Sequence, residues 1–304
     1  MKPTELDSRS AVTAVVTTTV LVFYSFMAIV GNTSVCLAAY RKRRSLAVTN
    51  IYIVALSLWD ITVSVTVIPF SIAASCLREW PFGYNFAQFQ GFIIYLWAGV
   101  SLYILSLTAL NRYICVVKPQ RYPQLYTKKK AAFSTLFVLV FTLVTGVISI
   151  PTAYVVFIWQ PQFLYCMAFW PDHSSIIWFF LWSLYLMLPI FLIVYCYGKV
   201  FLVVRHHNIA VIPSLRQNNA TTTRAEEFRT CRILFASVIG FCVCWLPLSV
   251  FEILVRWVNQ PALSVPSMFA YASAWINPLI YGAMNRSMRK EFLKILRCRK
   301  ADQE

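Results

Sequence analysis

Charge is scarce in this chain. Of its 304 residues only 12% are Asp, Glu, Lys or Arg, about half the share of a soluble domain, while 59% are hydrophobic. Acidic residues are scarcer still, 11 against 27 Lys and Arg. No single core absorbs that much apolar surface, so the natural solvent is a bilayer. Length alone would suggest about two soluble domains, but the composition overrides that expectation. Other absences narrow the choice. The opening MKPTELDSRS has no signal-peptide architecture, so the first apolar stretch is expected to insert as its own signal. There is no H-E-x-x-H motif, and the 3 histidines fall in loops or at a helix end, which disfavours an intramembrane enzyme. No internal repeat, matched pair of broken halves or charged ring marks a transporter or channel.

What remains is a series of long apolar runs. A span needs about 20 apolar residues, and seven are read here, at residues 12–40, 48–74, 89–117, 131–157, 175–204, 230–257 and 264–284. The fold class is therefore all-α, a seven-transmembrane helix bundle. Residues 1–11 precede it, and 285–304 form a short amphipathic eighth helix and tail. The net charge of +16 is distributed unevenly. Basic residues collect in alternate gaps: RKRR at Arg41–Arg44, Lys118 with Arg121 and Lys128–Lys130, Arg205 through Arg232, and Arg286–Lys300. The opposite side holds Lys2, Arg9, Arg78 and Arg256. The Lys/Arg-rich side is expected to face the cytoplasm of the plasma membrane, which puts the N-terminus outside and the C-terminus inside. Such runs also favour contact with anionic membrane lipids.

Polar punctuation is sparse and specific. Asp60 is the one carboxylate at bilayer depth, with Asn32, Ser101, Ser273 and Asn277 at comparable depth. Such residues are costly in a membrane and are functional candidates by default. Together they would hold a cation, share a proton, or simply join helices by hydrogen bonds. Pro189, Pro247 and Pro278 interrupt the fifth, sixth and seventh spans, each removing an intrahelical bond and favouring a kink. Trp245 stands two residues before Pro247. The stretch HHNIAVIPSLRQNNATTTRAEE after the fifth span is polar and aperiodic and reads as a mobile loop. In the tail, Met288, Phe292, Ile295 and Leu296 share one face and Arg289, Lys290, Lys294 and Arg297 the other, the pattern of a helix lying on a membrane surface. Cys298 beside it is a lipidation candidate. Of 9 cysteines, only Cys76 and Cys166 fall in outer segments, where a disulfide is permitted but its pairing is not fixed by sequence. Asn32, Asn219 and Asn285 head glycosylation triplets but lie in a span or on the inner side, so none is expected to be used.

Taken in order, the motifs resemble the rhodopsin-like class of G-protein-coupled receptors across about residues 12–298. They are Gly31-Asn32, LSLWD ending at Asp60, Asn111-Arg112-Tyr113, Pro189 with Tyr197, CWLP at Cys244–Pro247 and NPLIY at Asn277–Tyr281. The resemblance implies a receptor, not an enzyme, that binds an extracellular ligand and activates a heterotrimeric G protein, with arrestin as a further partner. Arg112 would be the switch, held at rest by Glu227 and released when the sixth helix swings. Its guanidinium is permanently charged and can exchange one set of acceptors for another. Tyr197 and Tyr281 would reorganise towards it, and Trp245 with Pro247, Asn277 and Pro278 would form the moving part. Asn32, Asp60, Ser101, Ser273 and Asn277 would form a sodium-sensitive pocket.

Departures from the class are explicit. Asn111 stands where an acid is usual, which removes the carboxylate beside Arg112 and loosens the resting state. Ala87 stands where the third helix usually starts with a cysteine, so the resemblance implies a disulfide from Cys76 to Cys166 instead. The usual tryptophan of the fourth helix is missing.

Ligand class is tested position by position. Aminergic receptors carry an aspartate where this chain has Ile94, and opsins a retinal lysine where it has Tyr271. Neither an amine site nor bound retinal is expected. The inner segments NRYICVVKPQRYPQLYTKKKA and YGAMNRSMRKEF resemble those of the melatonin-receptor group, although Pro278 replaces its usual alanine. The outer pocket would be lined by Tyr95, Ala98, Trp178, Trp182, Tyr185, Trp245, Leu248 and Tyr271, with Ser249, Glu252 and Ser267 for polar contacts. That mix suits a small, largely apolar ligand. Glu252 would hold a ligand amine or pair with Arg256 four residues on. The alternative is an opsin-related or orphan receptor-fold protein with altered or lost G-protein coupling.

Overall fold

The structure is a computed structural model. It describes residues 9–41, 47–152, 155–169, 175–211, 219–258, 265–285 and 288–292, with no side-chain detail at 149–152, 175–184, 206–211, 219–227 and 253–258. Among the described residues the chain runs α1 (Ala11–Arg41), α2 (Val48–Thr66), α3 (Ile68–Leu77), α4 (Gly83–Val117), a 3-10 turn (Pro119–Arg121), α5 (Tyr122–Leu125) and α6 (Lys128–Thr152). A hairpin of β1 (Val156–Gln160) and β2 (Tyr165–Phe169) follows, then α7 (Ser175–Val211), α8 (Asn219–Val258) and α9 (Val265–Met284). Six of these helical stretches are long and apolar enough to cross a membrane. The seventh span, α9, is 20 residues long and buries Ser267, Ser273 and Asn277 on its inner face. Outward faces are apolar: Phe133 and Phe191 are each 71% exposed, as a lipid-facing surface requires.

Four boundaries differ from the sequence reading. The second span is two helices, because Val67 (φ −121°, ψ −56°) breaks it and Pro69 sits in the first turn of α3. Pro69 lacks an N–H to continue the ladder from α2. The fourth span stops at Thr152, before the hairpin strand β1. The polar stretch after the fifth span is largely helical: α7 reaches Val211 and α8 begins at Asn219. Helices outlast their apolar portions, because Ala, Arg and Glu are good helix formers in water too. Past α9, residues 288–292 are helical, and Met288 is buried and Phe292 half-buried against the bundle. The tail face read as membrane-facing therefore starts by packing on protein. Cys298 lies outside the described residues.

α4 is the most enclosed of the long helices and packs against α2, α6, α7, α8 and both hairpin strands. At the join of α1 and α9 two sequence motifs meet. Pro278 has no N–H to give Ala274 O, four residues earlier. Asn32 Nδ2 supplies that bond from α1, at 2.7 Å to Ala274 O, and a second at 2.9 Å to Ala28 O. Gly31 makes the approach possible, since a Cβ there would stand 2.9 Å from Pro278 Cβ. Asn32→Ala is expected to cost about 1 kcal/mol of stability, read as a lower unfolding temperature of the purified protein. In a Pro278→Ala background, where Ala274 O regains an N–H, that cost is expected to shrink, and an unchanged cost would disprove the link.

Candidate functional site

Four clusters lie along α4. The first closes its C-terminal end. Asn111 and Arg112 are buried, Arg112 at 3% exposure. Asn111 Oδ1 accepts from Arg112 Nε at 3.1 Å and from Nη2 at 2.7 Å. Thr49 of α2 donates to the same oxygen at 2.9 Å and its hydroxyl accepts from Arg112 Nη2. Asn111 Nδ2 donates to Tyr122 Oη at 3.3 Å, tying the following turn to the cluster. An amide oxygen thus does by geometry what a carboxylate would do with charge. Only the donor in the two Arg112–Asn111 bonds is charged, so they are weaker than a guanidinium–carboxylate pair. Tyr113 packs against Tyr195, with ring centroids 5.8 Å apart, and Lys118 Nζ lies 5.5 Å from the Tyr113 ring. Tyr197 and Tyr281 are buried in the same core cluster as Tyr113. Tyr197 stands against Phe235 at 5.2 Å, and Tyr281 beside Ser237. The side chain of Glu227 lies outside the described residues.

The second cluster surrounds Asp60, which is 1% exposed. Trp97 of α4 donates its indole N–H to Asp60 Oδ1 at 3.0 Å. Asn277 stands beside the same carboxyl, yet Asp60 Oδ2 makes no full hydrogen bond. Asn32 Oδ1, Ser57 Oγ, Ser101 Oγ and Asn277 Oδ1 are likewise buried without a described partner. Ser273 turns away, donating to Ala270 O at 2.7 Å. Five oxygens from α1, α2, α4 and α9 are thus left as candidate ligands, a donor set suited to a hard cation.

The third cluster is a small cavity of about 10 Å³, room for one water, lined by Ile94, Trp97, Tyr165, Trp245, Leu248, Ser267, Ala270 and Tyr271. Trp245 meets Trp97 edge to face, with centroids 5.3 Å apart at 77°, and stacks on Phe241 at 5.9 Å. Of the pocket residues read from sequence, Trp245, Leu248, Ser267 and Tyr271 line this space. Tyr95 and Tyr185 do not: they stack on each other at 5.4 Å between α4 and α7. Ala98 is buried, but it is not among the lining residues. Ser249 is exposed and bonds back to Trp245 O at 3.0 Å, because an i−4 carbonyl satisfies a helical serine facing lipid. Glu252 Oε1 accepts from the Tyr165 phenol. The side chains of Trp178, Trp182 and Arg256 lie outside the described residues.

The fourth cluster is the hairpin that caps the cavity. Its tip pushes Phe163 and Leu164 into the bundle, with Leu164 at φ 61°. Tyr271 Oη donates to Leu164 O at 2.9 Å and pairs with Ser71 Oγ at 2.8 Å. Gln90 Nε2 donates to Ser71 Oγ at 2.8 Å and Gln90 Oε1 accepts from Cys166 N at 2.9 Å. Gln88 pairs with both backbone groups of Phe157, at 2.7 and 2.9 Å. Gly91 admits the Phe157 ring, which would lie 2.3 Å from a Cβ there. Cys166 and Cys76 are both free thiols, which corrects the disulfide that the resemblance implied. Cys76 is exposed on α3, whereas Cys166 packs with Ala87, Trp80 and Trp159. Burial pushes the Cys166 thiol above its ordinary pKa, so it stays protonated and unreactive at neutral pH. Two glutamines tether the hairpin to α4 where a covalent bond was expected.

The family model of the seven-transmembrane receptors of the rhodopsin family matches residues 31–281. The chain belongs to that family. It is thus a multi-pass membrane receptor, not an enzyme. The receptor is 24% identical over 287 residues to the melatonin receptor type 1A of Mus musculus, covering 91% of this chain and 79% of that protein. It is 26% identical over 288 residues to that of Gallus gallus, with the same coverage. It is 28% identical over 294 residues to the neuropeptide Y receptor type 6 of Mus musculus, covering 89% of this chain and 77% of that protein. Among solved structures, squid rhodopsin superposes with a TM-score of 0.76 at 22% identity, covering 95% of this chain and 89% of that one. This last likeness bears on the fold alone.

Sequence reasoning missed Trp97, Thr49, Ser57, Tyr165, Gln88 and Gln90. Two of these carried a signal. Trp97 lies four residues before Ser101, and Ser57 three before Asp60, so each shares a helix face with a residue already singled out. Gln88→Ala combined with Gln90→Ala is expected to speed amide hydrogen exchange across residues 156–169. Reductant is expected to leave the native exchange rate unchanged, and a reductant-dependent rate would restore the disulfide.

Proposed function

We propose that this receptor takes a small, largely apolar ligand from the outer, hairpin side and activates a heterotrimeric G protein at the inner end, where Arg112 lies. The observation that carries the reading is the burial of Arg112, a permanent charge held at the C-terminal end of α4 by hydrogen bonds to Asn111 and Thr49. A guanidinium can exchange one set of acceptors for another, including those of a partner protein. The orientation rests on the basic segments, which gather at the Arg112 end of the bundle. Arrestin is a further partner of that end, and anionic lipids are partners of its Lys/Arg runs.

The ligand site is the cavity between Trp97, Trp245 and Tyr271. At about 10 Å³ it admits no ligand as it stands, so binding selects a conformation in which the tryptophans and the Tyr165 lid have moved. Its aromatic and aliphatic lining, with Ser267 and Tyr271 for polar contact, favours a small apolar compound over a peptide. Melatonin-like indoles are the first compounds to try. Retinal is disfavoured, since Tyr271 offers no amine for a Schiff base. Sodium at Asp60, using the buried oxygens described above, is the ionic partner. The hydrogen bonds from Arg112 to Asn111 Oδ1 support a coupling role for this end over an orphan fold that has lost it.

G-protein activation in cells expressing the chain tests the reading. Arg112→Ala at matched surface expression is expected to lower the signal at least about tenfold, a loss of about 1.4 kcal/mol of coupling. A signal indifferent to Arg112, or none with any G-protein subtype and any ligand class, would favour the uncoupled alternative. Asp60→Asn is expected to abolish any sodium dependence of ligand affinity. A sodium effect that survives this substitution would remove the ion from the reading.

A further inference from the structure

The hairpin tip sits where a connecting segment rarely does. Loops normally run over the surface, because buried backbone groups must find partners. Here Phe163, Leu164 and Tyr165 are 1%, 0% and 6% exposed, and all three pack in one core cluster with Trp97, Leu248 and Tyr271. Leu164 holds φ at 61°, a left-handed conformation that strains a leucine. In that conformation Leu164 O accepts from Tyr271 Oη at 2.9 Å. Neighbours fix the direction of this bond. Ser71 Oγ accepts from Gln90 Nε2 at 2.8 Å and gives its own proton to Tyr271 Oη, also at 2.8 Å, so the Tyr271 proton is left for Leu164 O. At the other end the Tyr165 phenol donates to Glu252 Oε1. The helices thus present a donor at Tyr271 and an acceptor at Glu252, and adjacent residues of the tip fill both. Between the two bonds run the Leu164 carbonyl, the Tyr165 amide, its Cα and Cβ, and a hydroxyphenyl ring. That run is chemically an N-acyltyramine. Beside it, Ser267 Oγ and Trp245 Nε1 on the cavity wall have no hydrogen-bond partner among the described residues, polar capacity that the tip does not use.

We propose that Leu164 and Tyr165 are a built-in stand-in for the ligand, and that the cavity takes a small N-acylated tyramine. This deepens, and rests on, the reading of that cavity as the ligand site. The acyl oxygen replaces Leu164 O on Tyr271, and the ligand hydroxyl replaces the Tyr165 phenol on Glu252. A compound bearing neither group forfeits both bonds in a buried site, whereas an N-acyltyramine restores them. Leaving the cavity also frees Leu164 from its strained backbone, which favours exchange of tip for ligand.

The test compares N-acetyltyramine with N-acetylphenethylamine, which lacks only the hydroxyl, on the full chain in lipid nanodiscs. The native chain is expected to bind the hydroxylated compound at least about tenfold more tightly. Its binding is expected to speed hydrogen exchange across residues 156–169 as the tip leaves. Glu252→Leu is expected to erase the preference while both compounds still bind. Tyr165→Phe, which weakens the tip without altering a helix, is expected to raise the affinity for N-acetyltyramine about threefold. Equal affinities in the native chain, or binding that leaves hairpin exchange unchanged, would overturn the proposal. So would failure of N-acetyltyramine to bind both the native and the Tyr165→Phe receptor. Tighter binding of N-acetyltyrosinamide, the same unit as a peptide end, would overturn the small amide in favour of a peptide. An indole that drives Arg112-dependent activation while N-acetyltyramine fails to bind would overturn this ligand class alone. Bound N-acetyltyramine that leaves every G protein silent would support the class and count against coupling.

Discussion

The bundle depends on one constraint: a backbone or side-chain polar group inside a membrane must find its partner within the protein. The pairing of Asn32 with Ala274 O shows it most directly. Pro278 withholds an N–H from α9, and the carbonyl so released is satisfied from α1, across the narrow gap that Gly31 leaves. Once α1 and α9 are joined there, Asn277 is carried to Asp60, and the polar centre assembles from four helices. The same rule explains Ser64, Thr108, Thr142 and Ser273, whose hydroxyls bond back to their own helices. It also marks the exceptions. Among them are Asp60 Oδ2 and Oδ1 of the adjacent Asn277, two oxygens that an ion would complete.

At the hairpin end the usual covalent staple is replaced by amides. Gln88 and Gln90 engage β1 and β2, and Tyr271 links the tip to α9 through Leu164 O. Hydrogen bonds of this sort are individually modest, so the cap is held by many small terms rather than one bond. A lid held in this way can be lifted by binding energy without any change in redox state. At the opposite end, Asn111 likewise replaces a charge with an amide while preserving the contact to Arg112. Both ends therefore place amide hydrogen bonds where the resemblance led one to expect a disulfide or a neighbouring carboxylate.

Much of the architecture was legible in advance. The runs at 12–40 and 175–204 are spans because nothing in them can be left in water at lower cost than in lipid. Asp60, Asn32 and Asn277 were identifiable because an isolated polar residue in such a run stands out. Side-chain targets were harder to read. Tyr95 and Tyr185 looked like pocket residues, but they stack on each other. Ser249 faces outwards. Trp97 looked like one more apolar residue until its N–H was placed against Asp60.

The sequence by itself determined the number of spans, the motifs they carry and the side on which basic residues gather. These follow from local composition, since a helix in lipid satisfies its own backbone. Only the tertiary structure decided that Cys76 and Cys166 stay apart, that the cavity is too small for a ligand, and that one indole bridges it to the acid below. Those outcomes depend on how each helix is rotated and how closely it crosses its neighbours. Helical periodicity alone does not encode either, because every face of a lipid-embedded helix can be apolar.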